Sequence, residues 1–581
     1  MSEERVSRTS GAFGQAVLPA RQRFVGRLLR PLRDPNPILQ KELQATFRTA
    51  LFIRFLYLSI GLIGLFVVSV GAVVGADDTL PAEIGSVLFH VFFTPVGLVI
   101  TLVAPAYAAG TISGEKRSGT FESLLLSGMS ASRIVRGKFL ATYGSIALWV
   151  VAVAPVVGLS FLFGGVSPLA VLSGFLWLFL SLAPAVAFGI ALSARVDSMW
   201  VAILLAFSVY GLGWLFFGGP IVIGLGELAH EAWGTPQGPF WFAEAFAVRA
   251  GEWDAWLYLV ALPLYLFGMP TWFFLTSAVA GVQPPAEDRV TPFKIWSVPA
   301  IVGASVLGLL VQLRAGSPTE LGEVGAILST LISGTLALFI ALLFANEPPL
   351  PPRLGKPSLL RTLLAPLGPG AAGTLRFGLL AVGAAAVLPP LSTAALRWAL
   401  YPSLAPGHHL LYDAGLAVLA VGNAAIAAHF AALTTWLRLV LRSGLAARML
   451  TLAFFGAACL APLLVSMLLD PNSLDRLDVT APPLPMLLSP LLPTIVALVG
   501  AHGAPPSWAW MVAVPVAGYG GLALVLWIAV ELRCRTARRL AAERRERLLA
   551  RTAAAPAPEA APSAPPAGGE EIPPARAEGE P

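Results

Sequence analysis

Long apolar segments dominate this chain, and they restrict what it can fold into more than any other feature. A helix that crosses a membrane needs about 20 mostly apolar residues. Only 12% of the 581 residues are charged and the mean hydropathy is +0.77, whereas a soluble domain carries about 25% charged residues. The candidate segments lie at 51–75, 86–109, 139–163, 169–193, 199–225, 255–280, 295–313, 324–345, 377–395, 410–436, 447–469, 485–503 and 508–531. We therefore predict an all-α polytopic membrane protein.

The charges of the connecting loops predict the orientation of these segments. The basic loops are the N-terminus, 110–138, the turn with Arg195, 346–376, 437–448 and the region after 531, while 76–85, 164–168 and 470–484 are acidic or neutral. Cytoplasmic loops carry an excess of Lys and Arg. Alternate crossing from a cytoplasmic N-terminus satisfies this rule as far as residue 484. The net charge of +6 reflects these loops and predicts no nucleic-acid partner.

The segment "LPMLLSPLLPTIVALVG" contains three prolines and does not fit this alternation as a crossing helix. If 485–503 crossed, the basic stretch "RCRTARRLAAERRERLLAR" would lie outside. We therefore interpret it as a re-entrant or interfacial hairpin. The prediction becomes twelve spans with both termini cytoplasmic, in a bacterial cytoplasmic membrane; the bacterial source is suggested by the high Ala, Gly, Pro and Arg content.

The predicted domains follow from this count. Residues 1–49 form a cytoplasmic N-terminus without a cleavable signal peptide, 50–281 a six-span unit, and 282–531 a second six-span bundle. The second bundle is either a diverged copy of the first or an accessory bundle. Residues 532–551 form a basic cytoplasmic helix, and the Pro/Ala/Glu-rich tail 552–581 is expected to be disordered. The Trp- and Phe-rich stretch between the fifth and sixth spans predicts an element at the outer interface.

An amphipathic helix is predicted just before the first span, in "NPILQKELQATFR". Asn36 can cap it, Pro37 suits its first position, and Lys41 and Glu42 follow in the next turn. The residues of its apolar face are Ile38, Leu39, Leu43 and Phe47. The alternative is a plain cytoplasmic extension of the first span.

The most patterned polar stretch is "GTISGEKRSGTFESLLLSGMSASRIVRGKF", between the second and third spans. Gly119 and Thr120 can begin a helix, with the Thr120 hydroxyl as its cap. Its apolar face consists of Phe121, Leu124, Leu125 and Met129. "SGMSAS" ends this helix, and Ser130 or Ser132 can cap the next one, in which Lys138 is expected to act as a positive-inside anchor. The pattern predicts a cytoplasmic helical hairpin.

This stretch resembles the permease subunits of ABC transporters of the type-2 exporter class. Those proteins carry E-K-x-x-G-T-[LF]-E-x-L-L-L, a small turn and [IV]-x-x-G-K between their second and third spans. The matching residues are Glu115, Lys116, Gly119, Thr120, Phe121, Glu122, Leu124, Leu125, Leu126, Ile134, Gly137 and Lys138. The chain departs from the pattern at Arg117, where an acid is common, and at Gly128, where a proline is frequent. "NPILQKEL" is similar to the family's interfacial helix, and the resemblance covers about residues 36–280.

The resemblance implies a coupling helix at 114–138 that contacts a separate ATP-binding subunit, which alone would bind ATP. Glu115, Lys116 and Glu122 would contribute charged contacts. Phe121, Leu124 and Leu125 would pack in a groove of that subunit or on the ends of the spans. The chain would form the pathway as a homodimer or as a single-chain pseudo-dimer, surrounded by membrane lipids. Loop 346–376 lacks the acidic Gly-Thr signature.

The sequence contains neither a P-loop nor a metal-binding spacing such as H-E-x-x-H or C-x-x-C. We therefore expect no catalytic, cofactor or metal site, and no enzymatic activity of the chain itself. His90 and His429 are expected to satisfy hydrogen bonds between helices. Two other functions stay open: an ion-coupled secondary carrier, and a non-transporting scaffold or lipid-acting enzyme. The expected function is export of a substrate that no motif specifies.

Overall fold

The computed structural model describes residues 36–76, 80–235, 238–284, 287–313, 317–344, 347–350, 367–403, 406–469, 489–493 and 509–554. These residues form helices and contain no strand. Twelve of the described helices are long and apolar enough to cross a membrane. They correspond to twelve of the thirteen apolar segments, so the all-helical prediction is confirmed for the described residues, and the twelve long apolar helices are consistent with a polytopic membrane protein.

The described residues between 36 and 284 contain eleven α-helices. Helix α1 is amphipathic, α4 is a short helix between two long ones, and α9 and α10 follow the fifth apolar segment. The bounds are α1 Pro37–Arg48, α2 Ala50–Val74, α3 Pro81–Arg117, α4 Thr120–Leu126, α5 Ala131–Phe163, α6 Pro168–Ser193, α7 Met199–Leu205, α8 Gly219–Trp233, α9 Trp241–Arg249, α10 Trp253–Trp256 and α11 Leu262–Val282. Two π-helical segments, Ala206–Leu212 and Trp214–Gly218, join α7 to α8, and a third, Leu257–Ala261, joins α10 to α11.

Six further α-helices follow among the described residues. They are α12 Thr291–Gln312, α13 Pro318–Leu343, α14 Ala371–Leu400, α15 Pro406–Leu441, α16 Gly444–Leu469 and α17 Ala509–Ala554. Helix α17 continues without a break from the last apolar segment into the basic stretch that was predicted as a separate helix.

Buried apolar side chains form two main clusters. The larger one involves the helices between residues 63 and 282, and its centre contains Phe89, Phe92 and Phe93 of α3, which are fully buried. The other involves residues 280–534, mainly of α13, α14, α15 and α17. Aromatic side chains add edge-to-face contacts to the first cluster; the rings of Phe92 and Phe93 lie 5.1 Å apart.

Close backbone approach positions α3 against α6. A Cβ atom at Gly189 of α6 would lie 2.2 Å from the Pro105 carbonyl oxygen of α3. One turn later the Ser193 hydroxyl accepts hydrogen bonds from the backbone N–H groups of Ile112 (2.9 Å) and Ser113 (2.8 Å). Small residues and hydroxyl groups are typical of contacts between helices in membranes. The end of α3 is therefore held firmly before it leaves the apolar layer.

Charged side chains separate to the two ends of the helices. One end, defined by α1 and α4, carries most of the described Lys and Arg residues, including Arg376, whose side chain pairs with Glu531 of α17 at 2.5 Å. At the other end, α9 packs against α6, and Glu244 lies 3.3 Å from His90 of α3. His90 also accepts a hydrogen bond from the Phe240 N–H at 3.3 Å, so its side chain joins α3 to the residue that precedes α9.

Residues 485–503 lie outside the described part of the chain except for 489–493. The helices on either side nevertheless indicate the direction of α17. Arg448, near the start of α16, donates a hydrogen bond to Leu342 O at 3.0 Å, at the basic end, so α16 ends at the opposite end. Arg533 of α17 contacts Leu439 O at 3.3 Å, also at the basic end. Helix α17 therefore begins at the end where α16 finishes, as a non-crossing 485–503 segment requires.

Cysteine labelling tests this arrangement. In a Cys459→Ala, Cys534→Ala background, Arg136→Cys and Arg545→Cys should react with a membrane-impermeant maleimide from the same side of the membrane. Glu252→Cys should react only from the other side, because an odd number of described spans separates it from each of them. Labelling of Arg545→Cys from the same side as Glu252→Cys would show that 485–503 crosses.

Candidate functional site

The N-terminal helix α1 lies across the start of α5. The Asn36 side chain accepts a hydrogen bond from the Ile38 N–H at 3.1 Å and donates one to the Arg133 carbonyl oxygen at 2.7 Å. Pro37 occupies the first helical position, as predicted, and Ile38 is only 3% exposed. Lys41 is exposed on the outer side of the helix. The Asn36 side chain therefore caps α1, as predicted, and also links α1 to α5 by a hydrogen bond.

Gly137 allows this close contact between α1 and α5. A Cβ atom there would lie 2.7 Å from Asn36 Nδ2 and 2.9 Å from Ile38 Cβ. Two turns further along α5, a Cβ atom at Gly144 would meet only Leu43, at 3.9 Å. Any side chain at Gly137 would push α1 away, which gives a physical reason for the glycine in the "IVRGK" stretch.

Lys138 lies beneath α1 and joins three helices. Its ammonium group lies 2.9 Å from Glu115 Oε1 of α3, 3.0 Å from Glu42 Oε1 of α1 and 3.5 Å from the Thr111 carbonyl oxygen. The side chain is only 2% exposed. The charge of Lys138 is therefore buried and paired within the protein and is not exposed at the membrane surface, while its expected positive-inside position stays a prediction.

The polar stretch between α3 and α5 contains two left-handed turns. Helix α3 continues to Arg117, and Gly119 (φ +72°) then turns the chain into α4, while Gly128 (φ +74°) turns it toward α5. Glycine adopts such angles without steric cost, whereas the proline ring requires φ near −65°. The departure from the family pattern at Gly128 therefore corresponds to a turn that a proline could not form.

The predicted capping by Thr120 is wrong. Thr120 is the first residue of α4, and its hydroxyl lies 2.9 Å from Ser118 Oγ and 3.4 Å from the Glu115 carbonyl oxygen. Gly119 is the N-terminal cap residue and has no side chain to donate or accept. Ser130 precedes α5, as predicted, but its hydroxyl makes no capping hydrogen bond.

The apolar residues of α4 divide into two groups. Phe121 is buried and belongs to the large apolar cluster, and Leu124 is half-buried. Leu125 is 41% exposed and Leu126 is 87% exposed. Only the first group packs on the ends of the long helices, so Leu125 and Leu126 remain available on the surface.

The three charged candidates also differ in their surroundings. Glu115 forms the buried pair with Lys138. Lys116 contacts Asp197 Oδ1 at 2.9 Å and the Ala194 carbonyl oxygen at 3.0 Å, in the turn between α6 and α7. Glu122 is exposed and forms no ion pair with any residue that the structure describes. Glu115 and Lys116 thus connect helices of this chain, and Glu122 points outward.

A surface groove of about 450 Å³ lies beside α4. One wall is formed by α4 and the end of α3, and the other by the turn that precedes α7. Its lining residues are Lys116, Arg117, Gly119, Phe121, Glu122, Asp197, Ser198, Met199 and Trp200. Trp200 is 68% exposed. Asp197 and Trp200 were not predicted as site residues. The sequence gives only a weak signal for them, the short polar turn "DSMW", which ends in a tryptophan.

No protein-family model, curated protein or solved structure matches this chain. Among the described residues no group of three or more His, Cys, Asp or Glu side chains could hold a metal ion.

Substitution of Gly137 by alanine should loosen α1. The new methyl group would overlap with Asn36 and Ile38, and we expect a loss of about 1–3 kcal/mol in unfolding free energy. Trypsin should also cleave more rapidly at Lys41 and Arg48. Gly144→Ala on the same helix is the matched control and should leave both measurements unchanged. Equal behaviour of the two variants would contradict the contact assigned to Gly137.

Removal of the buried Lys138 charge should also destabilise the protein. Lys138→Met leaves the Glu42 and Glu115 carboxylates without their cation, and because both are partly accessible we expect a cost of about 2–3 kcal/mol. Lys116→Met is the control, since its partner Asp197 is 90% exposed, and should cost less than about 1 kcal/mol. Unfolding of the purified protein in detergent measures both, and a Lys138→Met midpoint equal to that of the control would refute the assignment.

Proposed function

We propose that the protein is the membrane permease subunit of an ATP-binding-cassette exporter. The observation that supports this most directly is an exposed patch at α4: Leu125 and Leu126 of this helix are exposed, and Glu122 of the same helix and Trp200 line the groove beside it. This patch is the surface on which a separate ATP-binding subunit would dock. The resemblance of residues 36–280 to type-2 exporter permeases supports the same function.

A docking surface can transmit force only if it is joined stiffly to the helices that move. Helix α3 has 37 residues, which at about 1.5 Å per residue is roughly 55 Å, whereas the hydrocarbon core is about 30 Å thick. Its end therefore extends beyond the apolar layer and carries α4. The pairs of Lys138 with Glu115 and Glu42 join this extension to α5 and α1.

The contacts suggest a division of roles among the residues of the motif. Glu122, Leu125 and Leu126 would touch the ATP-binding subunit. Glu115 and Lys116 would stiffen the lever through their partners within the chain. Phe121 and Leu124 would fix the short helix on the ends of the spans, and Gly119 would set its angle.

In this proposal the basic end faces the cytoplasm of a bacterial cell, and both termini lie there. The chain would comprise two six-span units, of which the first carries the coupling helix at 114–138. Two copies of the chain would then present two docking patches to a dimeric ATPase. Helix α2 has few buried residues and many large exposed apolar ones, so it can contact either membrane lipids or a second copy.

Co-purification with candidate P-loop ATPases of the same organism, beginning with any that is encoded by an adjacent gene, tests the proposal. Glu122→Lys combined with Leu125→Asp should reduce recovery of the complex and stimulation of ATP hydrolysis at least tenfold, because it reverses a charge and removes apolar area at the patch. Glu231→Lys combined with Leu80→Asp makes the same changes on exposed residues at the opposite end and should have no effect.

One result would contradict the docking site and another would contradict the permease function. Full complex formation by the Glu122 and Leu125 double variant would show that α4 is not the docking site. Failure of the unmodified chain to associate with any P-loop ATPase would contradict the permease function itself.

A further inference from the structure

A large cavity opens at the basic end of the helices, on the other side of the turn that holds Asp197. Its volume is about 1140 Å³. The walls come from the ends of α6, α11, α13 and α15 and the beginnings of α12 and α16, so residues of both apolar clusters meet around it. It is therefore distinct from the groove beside α4, although Lys116 borders both.

Four arginines line this cavity: Arg195, Arg289, Arg438 and Arg448. None of them pairs with a carboxylate of a described residue. The hydrogen bonds that three of them donate go to backbone carbonyl oxygens, from Arg195 to Ser277 (3.3 Å), from Arg448 to Leu342 (3.0 Å) and from Arg289 to Gln283.

Two guanidinium nitrogens in the cavity have no hydrogen-bond partner among the described residues. The Nε atoms of Arg289 and Arg438 are buried, and no described residue accepts a hydrogen bond from them. A buried donor without an acceptor costs free energy, more so when the group is charged. An arginine that merely marked the cytoplasmic side could instead extend into water. These two nitrogens therefore indicate a missing acceptor inside the cavity.

The charges that line the cavity are mostly positive, which also favours a negatively charged ligand. Partial burial by the cavity wall and the nearby positive charges of Arg448 and Arg289 lower the pKa of the Arg195 guanidinium. Glu287 and Glu347 are the acidic residues that line the cavity within the described chain. Glu347 already accepts a hydrogen bond from the Gly370 N–H at 2.7 Å, and burial raises its pKa. The positive groups thus outnumber the negative ones even when both glutamates are ionised.

We propose that this cavity binds a phosphate-bearing anion, presented either as the headgroup of an anionic membrane lipid or as a free phosphate ester. Guanidinium groups match the oxygens of a phosphate in charge and geometry, and several can share one group. The apolar side chains of Phe273, Phe339 and Leu342 line the same cavity. They would contact the glycerol or the first methylenes of the ligand, which favours an amphiphile.

Binding can be measured on the full-length protein in neutral detergent, without any ATPase, so the result is independent of the proposed transport function. Native mass spectrometry should detect tighter binding of phosphatidylglycerol than of phosphatidylcholine. The variant Arg195→Gln with Arg438→Gln should bind phosphatidylglycerol at least tenfold more weakly. Arg136→Gln with Arg442→Gln removes two exposed charges from the same end and should change the affinity less than about twofold.

Glycerol 3-phosphate identifies the source of the phosphate. If it competes with phosphatidylglycerol at millimolar concentration, the cavity accepts free phosphate esters; if it does not, the site requires a lipid. Arg438→Lys keeps the charge but not the guanidinium, so it should bind phosphatidylglycerol more tightly than Arg438→Gln and less tightly than the unmodified chain, which separates loss of the ligand from loss of folding.

Two results would overturn the assignment. One is equal affinity of the unmodified chain and the Arg195→Gln, Arg438→Gln variant for phosphatidylglycerol. The other requires no variant: an unmodified chain that prefers neither phosphatidylglycerol nor glycerol 3-phosphate over phosphatidylcholine has no such site.

Discussion

The buried ammonium group of Lys138 is the contact on which the candidate site depends. Transfer of a charge out of water is costly unless opposite charges lie close to it. Glu42 and Glu115 supply those charges from two other helices, at 3.0 and 2.9 Å. Separation of α5 would leave both carboxylates without their cation, and separation of α1 or of the end of α3 would remove one of the two ion pairs of Lys138. Helix α1, the end of α3 and the start of α5 are therefore held as one unit, and α4 is attached to it.

The turn between α6 and α7 links the exposed patch to the basic cavity. Asp197 pairs with Lys116 at the end of α3, while Arg195, two residues earlier, lines the cavity. A displacement of α4 and the end of α3 would move Asp197 through its ion pair with Lys116, and Arg195 is only two residues from Asp197. If both proposals hold, an anion between the two helical clusters and a partner on α4 would each act on this turn. The short contact path gives a physical basis for coupling between them.

Much of the fold could be predicted because its cause is local. Twelve apolar segments are long enough to span a membrane, and the structure contains a long helix at each of them. Asn36 and Pro37 specify the start of α1 through their own backbone geometry. The role of Lys138 and the inward orientation of Glu115 could not be predicted in this way, since each depends on residues distant in the chain. Thr120 fails to cap α4 for a local reason, because Gly119 occupies the cap position with a φ of +72°.

The sequence by itself determined that the chain is helical and membrane-spanning, which end of the helices is basic, and where the polar stretch between α3 and α5 lies. These properties follow from length, hydropathy and charge, which act within a single segment. Only the tertiary structure decided which charges of that stretch are paired internally and which face outward. It also brought together four arginines that lie between residues 195 and 448 around one cavity. Such contacts depend on the packing of helices, and no local pattern of residues encodes that packing.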